Sequence, residues 1–73
     1  MSSVTKALDL LTHFSTSRPE IGLSQLRRIA NRDKATTYRQ LQALEDVGFV
    51  EKNALTKQYR LGPALLQFAQ TRE

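Results

Sequence analysis

The 73 residues carry eleven Lys+Arg against seven Asp+Glu, a formal net charge of +4, with no cysteine and a single histidine. A chain this short makes one domain with a thin core, and the missing thiols exclude disulfide frameworks, thiolate zinc sites and thiol nucleophiles while suiting a reducing compartment. No apolar run approaches the ~20 residues that span a bilayer and no signal-peptide pattern leads the chain, so a cytoplasmic location is expected, with no membrane partner.

In chain order, Val4, Ala7, Leu8, Leu11 and Phe14 recur at helical spacing and predict an amphipathic helix from about Ser3 to Phe14. Ser15 to Pro19 stops it, and Ile21-Gly22-Leu23 is an extended stub at most. Ser24 offers an N-cap hydroxyl for a short second helix from about Gln25 to Ala30. Asn31-Arg32-Asp33 breaks that helix, because Asn tolerates the left-handed conformation of a tight turn. Asp33 then caps a third helix running to about Val47, which Gly48 ends. Beyond Gly48 the period falls to two: Phe49–Lys52 and Gln58–Leu61 are strand candidates joined by the loop Asn53–Lys57. Pro63 suits the first turn of a last helix carrying Leu65, Leu66, Phe68 and Ala69.

The excess positive charge is clustered. Arg27, Arg28, Arg32, Lys34 and Arg39 stand against Asp33 alone, and Lys52, Lys57 and Arg60 form an acid-free group in the hairpin. Such clusters suit a polyanion, although a solvated charged face has the same composition. Two helices joined by a three-residue turn are a helix-turn-helix candidate, and the basic hairpin that follows completes the order of a winged helix. At 100° per residue, Thr37, Leu41 and Leu44 fall on the inward side of the third helix. Ala35, Tyr38, Arg39 and Gln42 lie opposite, flanked by Lys34 and Thr36. An α-helix fits the DNA major groove, where Arg pairs with guanine, Gln with adenine, and methyl or aromatic groups meet thymine.

Bland alternatives stand beside each of these residues. Tyr38 can be a core-edge tyrosine, Arg39 can pair with Glu45 or Asp46, and Arg27 and Arg28 can be solvated rather than phosphate-bound. The amides at the Ser24–Gln25 helix start offer a phosphate site. In the wing, Tyr59 and Leu61 are expected to face inward while Lys52, Lys57 and Arg60 point outward to the DNA backbone or minor groove. Contacts of that kind position a protein without specifying sequence.

Five segments together resemble a known family: Lys6-Ala7-Leu8-Asp9-Leu10-Leu11; Gly22-Leu23-Ser24-Gln25-Leu26; Lys34 through Leu41; Leu44 through Val50; and Tyr59-Arg60-Leu61-Gly62-Pro63. In this order and spacing they resemble the N-terminal DNA-binding domain of IclR-type bacterial transcription regulators. The resemblance implies a mainly α winged helix-turn-helix with a small β-hairpin, over residues 1–62. It implies that residues 63–73 begin a linker helix toward a C-terminal effector-binding domain absent from this chain. It further implies operator binding as a homodimer, with the helix from Lys34 in the major groove and a small-molecule effector acting only through the absent domain. Three positions depart from the family pattern. Arg32 stands where a core-packing residue is usual, Arg27 where a small residue packs between helices, and Lys57 where the wing tip often has Gly. Arg32 is placed with Ser24, Gln25 and Arg28 among the backbone contacts.

Catalysis is not expected. Gly22, Gly48 and Gly62 are isolated at element boundaries and form no phosphate-cradling loop, and His13 has only Asp9 beside it. No cofactor or metal site is expected. The competing non-enzymatic reading is a winged-helix module for protein or RNA. A protein-binding version would expose apolar side chains on the third helix, and the narrow major groove of A-form RNA excludes a reading helix. The expected function is therefore sequence-specific binding of double-stranded DNA by a repressor or activator.

Overall fold

The computed structural model describes residues 2–71. Helix α1 spans Ser3–Asp9, capped by Ser2, whose hydroxyl accepts the Thr5 N–H at 3.1 Å, and continues as a 3₁₀ turn over Leu10–His13. The core-facing stripe is Ala7, Leu10, Leu11 and Phe14, an i, i+3, i+4, i+7 set centred to one side of Val4 and Leu8. Leu10 and Phe14 are buried and Ala7 and Leu11 partly so, whereas Val4 and Leu8, expected in the buried stripe, remain exposed.

Strand β1 is Glu20–Ile21, and helix α2 is Leu23–Ala30. Gly22, not Ser24, occupies the N-cap, and Ser24 is the second helical residue. Strand β1 pairs with the hairpin, so the chain is held extended through Ile21 and turns into the helix at once. At the other end of α2, Asn31 is left-handed (φ 56°) and the Arg32 N–H reaches back to the Arg27 carbonyl at 3.0 Å, the bond pattern that closes a helix C-terminus.

Helix α3 spans Lys34–Asp46, and Gly48 follows at φ 81°. Strands β2 (Val50–Lys52) and β3 (Tyr59–Leu61) form the hairpin, and β1 joins it to give a three-stranded antiparallel sheet in the order β1-β3-β2. The register sets Glu20 and Glu51 opposite Arg60, and Lys52 opposite Tyr59. Helix α4 covers Pro63–Thr71; residues 72 and 73 of the expected linker helix lie outside the described residues.

Leu10, Phe14, Ile21, Leu26, Leu41, Leu44, Val50 and Tyr59 form one core, to which the first three helices and all three strands contribute. Burial pushes the Tyr59 hydroxyl pKa upward, and the Glu45 carboxylate adds to the effect. Leu61 has the expected inward parity, yet the core ends before it. It stays 44% exposed and lines a shallow groove with Pro63, Leu65 and Leu66.

The wing tip is a closed turn in which Lys57 adopts φ 65°. A side chain there costs about 1 kcal/mol that glycine avoids. Lys57→Gly is therefore expected to raise the melting temperature by about 5 °C; a lower value would contradict the assigned conformation.

Candidate nucleic-acid interface

Helix α3 is anchored before it is exposed. The Asp33 carboxylate accepts the Thr36 N–H at 3.0 Å, and the Thr37 hydroxyl, fully buried, donates to the Asp33 carbonyl at 2.9 Å. Thr37, Leu41 and Leu44 press inward, and Ala35, Tyr38, Arg39 and Gln42 are all exposed on the opposite side. Thr36 is half-buried at the flank. Arg39 Nη2 leans on the Thr36 hydroxyl and Gln42 Nε2 on Asp46, both at 3.4 Å. These are weak intrahelical bonds that a base edge can replace.

Three elements meet at the start of this helix. Ser24, Gln25 and Arg28 of α2, Lys34 of α3, and Thr56, Lys57 and Gln58 of the wing line a single notch. The α2 N-cap uses no side-chain bond, so the amides of its first turn are not engaged by a cap. Among the described residues, Arg28, Lys34 and Lys57 have no acidic partner. Three cations and a helix start thus converge, which is the chemistry a phosphate needs.

Other expected contacts lie elsewhere. Arg32, expected beside DNA, turns inward with only 15% of its side chain exposed. Its Nη1 donates to the Lys6 carbonyl and to Gln40 Oε1, each at 2.8 Å, and its Nη2 meets Asp9 Oδ2 at 3.2 Å. It replaces the usual core-packing residue with a clamp between α1 and α3. Arg60 points to solvent but is neutralised across the strands by Glu51 at 3.0 Å and Glu20 at 3.9 Å. Lys52 is exposed, but on a different face of the sheet from Arg60. As the partner of Tyr59 it belongs to the opposite sheet face, with its ammonium 5.7 Å from the Tyr59 ring centroid. Arg27 is exposed, and His13 is half-buried with Nε2 unpartnered.

The IclR helix-turn-helix domain matches residues 3–54, and those residues include both α2 and α3. The chain belongs to the IclR family. This IclR domain is 49% identical to a putative IclR transcriptional regulator from Silicibacter sp. TM1040, with a TM-score of 0.95 over 99% of the chain. It is 31% identical to HmgR of Pseudomonas aeruginosa (TM-score 0.74, 92% of the chain) and 28% identical to a putative IclR-family regulator from Rhodococcus sp. (TM-score 0.85, 94% of the chain). It spans 28%, 26% and 27% of those three proteins' own lengths. No curated protein matches it. The function class of the family is DNA-binding transcription regulation, not catalysis.

The IclR domain also presents a surface that the sequence pattern concealed. Val4, Ala7 and Leu8 of α1, with Ala43, Val47 and Phe49, line an open, mainly apolar groove of about 560 Å³ beside α3, which Thr36, Arg39 and Gln40 also line. Val4 and Val47 are 68% and 59% exposed there. Leu66 and Phe68 of α4 are similarly exposed, and Phe68 stacks edge-on against Phe49 with ring centroids 5.8 Å apart. Among the described residues no helix is long and apolar enough to cross a membrane, and no His/Cys/Asp/Glu group could hold a metal ion.

Asp33 ties the interface to pH. Hydrogen bonds from Thr36 hold its carboxyl below the ordinary value of 3.8. Its folded pKa is depressed, so its contribution to stability is complete above the unfolded value and is lost as pH falls through the folded one. Wild type should therefore lose stability more steeply than Asp33→Asn on acidification below about pH 4. Thermal melts across pH 5 to pH 2.5 check this, and parallel curves would remove Asp33 as the titrating cap.

Proposed function

We propose that this chain is the operator-reading part of a dimeric bacterial transcription regulator. Ala35, Tyr38, Arg39 and Gln42 of α3 meet base edges in the major groove, with Lys34 and Thr36 at its rim. Arg28, Lys34 and Lys57, with the amides of Ser24 and Gln25, grip successive phosphates of the bordering strand. The observation that carries this reading is the shared notch, which sets the cations of α2, α3 and the wing on the side of α3 where its uncommitted polar face begins. That face is polar and cationic, so a protein- or RNA-binding module is not favoured. Arg32 and Arg60, already paired, take no part, and Lys52 contributes only if it leaves the Tyr59 ring.

The exposed Leu66 and Phe68 of α4 support association of two copies. Two copies would read half-sites about one or more helical turns apart, near 34 Å each. Helix α4 is the start of a linker toward a C-terminal effector-binding domain, a reading supported by the chain's spanning 28% of its Silicibacter relative. The regulator works in the cytoplasm, with any small-molecule effector held outside this chain.

Selection from random duplexes at a stated salt concentration tests the proposal. The expected product is one enriched motif present as two related half-sites. Enrichment of no motif, or equal retention of RNA hairpins, would overturn it.

A further inference from the structure

Leu55, at the wing tip, is 93% exposed, the most exposed of the large apolar side chains among the described residues. The tip that holds it is firmly built. Asn53 Oδ1 accepts the N–H groups of Leu55 and Thr56 at 2.8 and 3.2 Å, and the Thr56 hydroxyl accepts the Gln58 N–H at 3.2 Å. The Lys57 N–H donates to the Asn53 carbonyl and the Asn53 N–H to the Gln58 carbonyl, both at 2.8 Å. Lys57 accepts a left-handed backbone to close the turn. An ordered, partly strained turn therefore keeps a leucine in water, where its apolar surface contributes nothing to the fold.

Thr56, Lys57 and Gln58, immediately after Leu55, line the notch that also contains Arg28 and Lys34. With α3 in the major groove, the strand of phosphates held by that notch is the wall of the groove. A side chain beyond the wall stands over the neighbouring minor groove.

We infer that Leu55 is a minor-groove contact favouring A·T over G·C at the base pairs beneath the wing tip. An A·T pair shows only recessed acceptors there, whereas a G·C pair adds the guanine 2-amino donor. An isobutyl group packs between the sugar walls above A·T. Over G·C it leaves the amino group without an acceptor and is lifted by it. The inference rests on the DNA-binding reading above and adds a specificity determinant outside α3.

The test uses the site recovered by duplex selection, with its wing-side flanks rebuilt as A·T, G·C or inosine·C. Inosine removes the 2-amino group and leaves the major-groove edge of guanine unchanged. Wild type should bind the A·T and inosine·C flanks about tenfold more tightly than G·C. Leu55→Ser should lose about tenfold on the A·T flank and bind all three equally, while Leu55→Met keeps both affinity and preference. Thermal melts of both variants should match wild type, because Leu55 supports no core contact. Unchanged affinity and preference in Leu55→Ser would overturn the inference alone. Absence of salt-sensitive duplex binding by wild type would overturn it together with the DNA-binding reading.

Discussion

Gly62→Ala should destabilise the domain by about 3 kcal/mol or more, a drop in melting temperature of about 15 °C. A Cβ at this buried position would run into the Gly48 carbonyl oxygen and lie 2.9 Å from its carbon and 3.1 Å from the Phe49 carbon. All three are backbone atoms of the turn that ends α3, and they cannot swing aside as a side chain would. Two hydrogen bonds join the crossing chains here: Gly62 N–H to the Phe49 carbonyl at 2.8 Å and Ala64 N–H to the Gly48 carbonyl at 3.2 Å. Gly48 itself needs its φ of 81°, with Ala64 Cβ only 3.2 Å from where its own Cβ would sit. Separating the chains would unseat α4 and loosen the end of α3 together. A domain of this size has a total stability of only about 4–11 kcal/mol, so the loss is a large share. Urea or thermal melts decide it, and a melting temperature within a few degrees of wild type would show that the crossing is looser than described.

Raising salt from 50 to 200 mM should weaken duplex binding about 40-fold for one protomer and about 10³-fold for two. The figure follows from three phosphates neutralised per protomer, by Arg28, Lys34 and Lys57, at about 0.9 units of log–log slope each. Arg28→Ala should lower the slope by about one unit per protomer. Arg60→Ala should leave it nearly unchanged, because Glu20 and Glu51 already neutralise that guanidinium. A flat salt response would refute the electrostatic grip, and equal effects of the two variants would refute the division between engaged and uncommitted cations.

What was legible in the sequence was local. Asp33 at a cap, Asn31 in a left-handed turn, Gly48 after α3 and Pro63 opening α4 each act on neighbours a few residues away. The inward and outward faces of α3 likewise followed from helical period alone, and Thr37, Leu41 and Leu44 are buried as expected. The rest depended on partners distant in the chain. Arg32 is drawn inward by Asp9, 23 residues earlier, which no turn pattern reveals. The faces taken by Lys52 and Arg60 follow from the strand register, and the two acids beside Arg60 come from two different strands. Ser24 and Gly22 are both acceptable helix starts, and only the pairing of β1 chooses between them. Val4 and Leu8 fit a buried stripe by period as well as Leu10 does, and only the packing of α1 against the rest of the core centres the stripe on Ala7, Leu10 and Phe14.

The claim on which the function rests is that the wet side of α3 reads bases. Its most direct test measures wild type and Arg39→Ala against every single base-pair substitution of the selected half-site, at fixed salt. Arg39→Ala should lose about 1–3 kcal/mol and become indifferent at one base pair, with preferences elsewhere preserved. Uniform weakening on every sequence, or no change at all, would contradict base reading by this face.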